Sequence, residues 1–493
     1  MKKGFALLGF AIALLISVAA LLAAQPPVQY DVVILHGRVM DPETGLDGVR
    51  NVGVCAGKIC AIGAQAMSGK KTIDAKGLVV APGFIDPHEH GQKDENYRYQ
   101  ARDGVTTSLE LEAGTDDVAT WYAERSGKAL INYGVSVGHI PVRARVMAKV
   151  KLDISDPVTM KESAAAAHRI ATPEEVAEME KMIDLGMQQG ALAEGMGINY
   201  TPGASRQEIV AMFREAAKYG ASVHVHLRYA GVQEPESGIS ALEEVIAAAA
   251  VTGAPLHVVH ISSMGLASTP DLIAMVAEAR RHGMDVTAEA YPYTAASTAL
   301  ESAVFDPGWQ QKMAIDYHDL QWAATGERLT AETFERYRKQ GGIVVIYAIP
   351  ESAARAAMAS PLVMIGSDGM PITGAKVHPR GQGSFSRVLG HYVREEHALS
   401  LMEALRKMTL MPAQRLERRA PVFANKGRIR VGADADITIF DADHIIDKAS
   451  FESPLQYSEG VEFVLVNGVP VVDQGKLVEG VFPGQAARAP LSH

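Results

Sequence analysis

Residues 81–92 run APGFIDPHEHGQ. An apolar run, Gly83-Phe84-Ile85, leads directly into His88-Glu89-His90. Side chains alternate faces along an extended chain, so His88 and His90 share one face. Two imidazoles at the end of an apolar strand mark either the start of a polar loop or part of a metal site. The pair alone does not decide, because a single histidine beside an apolar run is more often a hydrogen-bonded structural residue.

Similar runs recur along the chain. The strand candidates are GFIDPH, TTSLELE, INYGVSVGH, ALAEGMGINY, ASVHVHL, LHVVHIS, DVTAEAYPY, GIVVIYA and PLVMIGSD. Helical stretches separate them, among them TPEEVAEMEKMIDLGMQQG, with Thr172 before its acidic start, and SRQEIVAMFREAAKYG, with Ser205 as candidate N-cap. Repeated β-then-α units imply a parallel sheet. About eight units in this length favour an α/β fold of the closed (β/α)8 TIM-like barrel type over an open doubly wound sheet. No Gly-rich dinucleotide fingerprint follows the first strand. Residues 28–82 and 425–482 are short alternating runs with Gly at the turns, the texture of a small β-sandwich domain shared between the two ends of the chain. The barrel then spans 83–424, with 298–342 an insertion over its mouth.

Barrel enzymes place their chemistry at the C-terminal ends of the strands. Here those ends carry His88 and His90, then Glu110 and Glu112, then His226, then His260, then Asp368. Burying so many ionisable groups without a counter-charge costs several kcal/mol. A metal ion removes that cost by neutralising carboxylates and binding neutral imidazoles. Imidazole and carboxylate donors suit zinc first, with manganese, cobalt or iron also compatible, as one or two divalent ions. Such an ion lowers the pKa of water to about 7, and a nearby carboxylate on its own strand, Asp368, can take and return a proton. The residues alone therefore indicate metal-assisted hydrolysis, with the bond type open.

The chain resembles the amidohydrolase superfamily, and in particular its N-acyl-D-amino-acid deacylase (D-aminoacylase) branch. The resemblance rests on APGFIDPHEH, GVTTSLELEAG, VHVHLR, VVHISS, YPYTAAST, PLVMIGSDGMP, HPRGQGSFSRVLGHYVREE, KMTLMPAQRL and KGRIRVGADADITIFD. It implies that His88 and His90 hold the more exposed of two ions and that His226 and His260 hold the more buried one. It implies Asp368 as the base, and hydrolysis of a linear amide to an acid and an amine. Two positions depart from the branch. Ala113 stands where a bridging Cys is expected, leaving Glu112 to bridge, with Glu110 as the alternative and Glu194 a distant third. Ser262 stands where a Lys holds the substrate carboxylate, leaving that role to Arg380, Tyr291, Tyr293 or Arg228. His139, at the end of the third strand candidate, is either a donor in the site or structural. A cyclic-amide, dipeptide or other C–N hydrolase on the same centre is the first alternative. A non-catalytic metal- or ligand-binding protein is the second, and the retained Asp368 argues against it.

Composition limits the partners. The 493 residues are 47% apolar and 21% charged, with a formal net charge of −10. That describes a folded protein without the basic face that nucleic acid binding requires, so the partner expected is a small-molecule substrate. Lys2 and Lys3, an apolar stretch from Phe5 to about Leu22, and Ala23-Ala24 describe a signal peptide over residues 1–24. A secreted or periplasmic enzyme follows, touching a membrane only through this segment if it stays uncleaved. The two cysteines, Cys55 and Cys60, lie in VGVCAGKICAIG, a hairpin turning at Ala56-Gly57 or Gly57-Lys58. The second turn sets them opposite each other and the first sets them as diagonal neighbours. A disulfide and a pair of half-buried thiols both remain open.

Overall fold

The computed structural model describes residues 29–153, 157–372 and 377–492. The proposed signal peptide lies outside them. Among the described residues no helix is long and apolar enough to cross a membrane.

Eight parallel strands form the central sheet: β1 (Phe84–Asp86), β2 (Val105–Thr115), β3 (Asn132–Gly138), β4 (Ala193–Gly197), β5 (Ser222–His226), β6 (Leu256–Val258), β7 (Val286–Ala290) and β8 (Val363–Ile365). They pair in chain order from β1 to β8. Closure between β8 and β1 occurs just beyond the strands. The Asp368 amide donates to the His88 carbonyl at 2.7 Å, and the His90 amide to the Gly369 carbonyl at 2.8 Å. Glu89 fastens this seam, accepting from the Ser367 hydroxyl at 3.1 Å and the Gly91 amide at 2.7 Å. The middle residue of His-Glu-His thus holds the barrel shut while its neighbours face the interior.

Helices cover the outside, and their caps follow the sequence. Thr172 and Glu175 form a reciprocal capping box before Pro173–Gln188, and Ser205 accepts from the Glu208 amide before Arg206–Lys218. One strand candidate is corrected. GIVVIYA supplies Ile343–Ile346, which pairs antiparallel with Ala296–Ala299 and Leu320–Trp322 in a separate three-stranded sheet. That sheet has its own core of Leu300, Phe305, Trp309, Trp322 and Phe334, so its apolar run was satisfied without joining the barrel.

The small β-domain is one nine-stranded sheet drawn from both ends of the chain. Its long strand Gln29–Asp41 is irregular between Ile34 and Gly37. The first half pairs with Ser68–Asp74 and the second with Val79–Pro82. The sheet therefore bends around a core of Val32, Ile34, Val52, Ile73, Ile437 and Leu465. Only Gly83 separates Val79–Pro82 from β1. The hairpin turns at Ala56-Gly57, both at positive φ, and Cys55 and Cys60 join in a disulfide with Cα atoms 5.9 Å apart.

Candidate metal centre and active site

The strand ends converge as two overlapping groups of donor atoms. His88, His90, Glu112 and Asp368 form one group, and Glu112, His226 and His260 the other. Within each group the donor atoms lie within 4.8 Å of one another. Glu112 belongs to both. Its Oε2 sits 2.9 Å from His88 Nε2 and 3.2 Å from His90 Nε2, while Oε1 sits 2.9 Å from His226 Nδ1. The two groups do not separate by depth, since all the donor side chains are buried or nearly so.

The local fold explains how Glu112 reaches this point. Glu110 of β2 pairs with Val135 of β3, but the next pairing is Thr115 with Val137. Four residues of β2 therefore bulge opposite one of β3, and a bulge re-aims side chains. The bulge needs room on β4, where a Cβ on Gly195 would lie 2.1 Å from the Glu112 carbonyl oxygen. Glu110, before the bulge, does not lie between the donor groups. It accepts from the Ala113 amide at 3.0 Å and meets His90 Nδ1 at 2.7 Å. The alternative of Glu110 as the bridge is corrected accordingly, because it orients His90 from behind.

Asp368 has φ 53°, in the left-handed region that non-glycine residues seldom occupy. That turn after β8 sets Oδ1 3.4 Å from His88 Nε2 and 3.3 Å from His90 Nε2. Its Oδ2 lies 2.9 Å from Arg380 Nη1. Burial favours the protonated acid, but Arg380 and the surrounding imidazoles outweigh it and hold the carboxyl below its usual range. Burial likewise opposes ionisation of Glu112, and its hydrogen bonds to His226, His88 and His90 hold it well below the usual range. Burial, reinforced by His226, lowers His260 to about 3, so its ring is neutral. His260 also has positive φ, and its Nδ1 meets the Ser263 hydroxyl at 2.9 Å, which leaves Nε2 free. Ionised carboxylates and a neutral imidazole, buried together without a lysine among them, fit divalent ions, with one carboxylate shared by two adjacent positions.

The cavity at these donors encloses about 130 Å³. Tyr200, Tyr291, Ser263 and Arg380 line it, along with an apolar wall that includes Leu152, Met264, Leu266, Met313, Ile346 and Ile349. The Tyr291 hydroxyl is buried with no hydrogen-bond partner, and burial pushes its pKa up to about 12. Arg380 is 1% exposed, stacks over the Tyr291 ring and donates to the Ser297 carbonyl at 3.2 Å.

Four other candidates point elsewhere. His139 Nε2 meets Glu208 at 2.8 Å, in a fully buried cluster with Arg143. Arg228 forms a two-pronged pair with Glu244 at 2.8 and 2.7 Å. Tyr293 faces Asp447, because the chain has left β7 at Ala290 and alternation no longer keeps it beside Tyr291. Glu194 is fully buried without a partner, and burial followed by the charge of Glu215 pushes its carboxyl well above the usual range. Ser262, too, is buried outside the cavity lining. Sequence reasoning missed Glu289, whose Oε1 lies 2.5 Å from His88 Nδ1. A charged residue at the centre of the apolar strand DVTAEAYPY was the available signal.

A parallel barrel that gathers imidazoles and carboxylates from five strand ends around one shared carboxylate is the architecture of a hydrolase that works through bound divalent ions. The chain belongs to the amidohydrolase family, whose family model matches residues 71–472, and it is an enzyme acting on carbon–nitrogen amide bonds. It is 30% identical to the N-acyl-D-glutamate deacylase of Alcaligenes xylosoxydans xylosoxydans, over 90% of this chain and 94% of that protein. It is 28% identical to the D-aminoacylase of the same organism, over 93% and 96%. The crystal structure of N-acyl-D-glutamate deacylase from Bordetella bronchiseptica, complexed with zinc and a phosphonate mimic of the tetrahedral intermediate, superposes with a TM-score of 0.79. That match has 26% identity and covers 94% of this chain and all of that one.

Proposed function

We propose that this enzyme removes the acyl group from N-acyl-D-amino acids by hydrolysing the linear amide. The observation that carries the reading is Glu112 shared between two buried donor groups, with Asp368 in the first of them and Arg380 holding its far oxygen. The relatives named above support the D series as substrates. We assign zinc to the donors His88, His90, Glu112, His226, His260 and Asp368. The donor chemistry and the zinc in the Bordetella relative support this, and manganese, cobalt or iron suits the same atoms.

A divalent ion held by these residues would supply Lewis-acid polarisation of the amide carbonyl and a lowered pKa for water. The remaining steps belong to the protein. Asp368 takes a proton from the attacking water and delivers it to the departing nitrogen, so amide and water become acid and amine. Arg380 keeps Asp368 ionised and, with the free Tyr291 hydroxyl, faces the substrate carboxylate. The apolar wall receives a side chain of modest size. We further infer export of the enzyme, which the basic-then-apolar residues 2–24 support.

The test is a panel of N-acetyl-D and N-acetyl-L amino acids with added zinc, read by amine release. Turnover confined to the D series is expected. Opening of a cyclic amide with no turnover on any acyl amino acid would overturn the proposal.

A further inference from the structure

Barrels of this class fill their interior with bulky branched side chains. Here β5, β6 and β7 instead carry His224, His257 and Glu289, each 1% exposed or less. His224 precedes His226 by two residues and shares its inward face. The rings of His224 and His257 lie 4.4 Å apart between centroids.

A hydrogen-bonded chain runs from the donor atoms down the barrel to its opposite end. His88 Nδ1 lies 2.5 Å from Glu289 Oε1, and His257 Nε2 lies 3.1 Å from Glu289 Oε2. His257 Nδ1 lies 2.7 Å from Thr287 Oγ1, which Arg415 Nη1 approaches at 3.4 Å. Arg415 is anchored by Asp285 at 2.7 and 2.9 Å. Donor chemistry orders every link. The Glu289 carboxylate only accepts, so a neutral His257 carries its hydrogen on Nε2 and accepts at Nδ1 from the Thr287 hydroxyl, which in turn accepts from Arg415. A carboxylate between two imidazoles accepts from both, so His88 donates from Nδ1, and its Nε2, which faces Glu112, His90 and Asp368, is the atom that would bind an ion placed among them.

We infer that Glu289 and His257 are positioning residues, fixing the tautomer and ring plane of His88 so that Nε2 is presented as a metal donor. The inference rests on the reading of His88 as a metal ligand. Carboxylate partners of this kind typically change metal affinity by about 10–100-fold when removed.

Zinc competition against a chromophoric chelator tests it, with a thermal melt of each variant. Glu289→Met is expected to weaken one of the two ions by about 10–100-fold and leave the other unchanged. A merely structural role would lower the melting temperature without this selectivity. His257→Gln, which can still donate to Glu289 and accept from Thr287, is expected to bind like wild type, whereas His257→Leu weakens the same ion. Should Glu289→Met fail to fold, Glu289→Gln decides, with a loss of about tenfold expected. Both ions bound within twofold of wild type by the folded Glu289 variant would overturn the inference and leave the metal reading standing. A wild-type protein that binds no divalent ion would overturn both.

Discussion

The apolar wall predicts a specificity opposite to that in the name of the first relative. Arg380 is the only lysine or arginine lining the cavity among the described residues, and it is already paired with Asp368. The cavity of about 130 Å³ is close to the ~150 Å³ that admits benzene in an engineered apolar cavity, which suits leucine, methionine or phenylalanine side chains. Burying a leucine-sized group contributes about 1.5–3 kcal/mol. Burying a glutamate carboxylate with no counter-charge costs about as much or more. The sum is roughly 3–6 kcal/mol, or about 10²–10⁴-fold in kcat/KM favouring N-acetyl-D-leucine over N-acetyl-D-glutamate. The assay is kcat/KM for both substrates at equal zinc. Met313→Lys places a cation on the same wall and should raise turnover of the glutamate substrate by about tenfold or more, since a charge-assisted bond contributes about 1.5–3 kcal/mol. Wild-type turnover of N-acetyl-D-glutamate within tenfold of the leucine substrate would refute the reasoning about the wall while leaving the deacylase reading intact.

Three further perturbations are informative. Asp368→Asn should lower kcat by about 10²–10⁴-fold; a variant with full turnover would remove Asp368 from proton transfer. Gly369→Ala should cost about 1–3 kcal/mol in denaturant unfolding, because a Cβ there would lie 1.9 Å from Glu89 Oε2 and 2.8 Å from the Gly381 Cα, at the closing seam of the barrel. Glu194 has a folded-state pKa raised above its unfolded value, so its contribution to stability is full below about pH 4 and is lost as pH rises toward the folded value. Glu194→Gln should therefore narrow the difference in melting temperature between pH 5 and pH 8 without changing metal affinity; an unaltered difference would show that Glu194 does not titrate in this way.

The candidate donors were legible because His88, His90, His226, His260 and Asp368 all stand at or just beyond the C-terminal ends of barrel strands, the face at which such folds gather polar groups. Legibility failed where the backbone departs from regular extension. Alternation puts Glu110 and Glu112 on one face, yet the bulge between them sends one behind His90 and the other between the two donor groups. It also pairs Tyr291 with Tyr293, but β7 ends at Ala290 and only Tyr291 lines the cavity. Arg228 was misplaced for a different reason, while Arg380 does line the cavity. A guanidinium reaches several ångströms, so Arg228 is claimed by Glu244, a partner 16 residues away that no local pattern reveals. Glu289 shows the converse. A carboxylate within an apolar strand must find partners, and the barrel supplies two imidazoles, His88 and His257. In a closed barrel a buried charge within a strand is therefore informative, and one that precedes the strand's last residue, as Glu289 does, points to the residues that orient the donors rather than to the donors themselves.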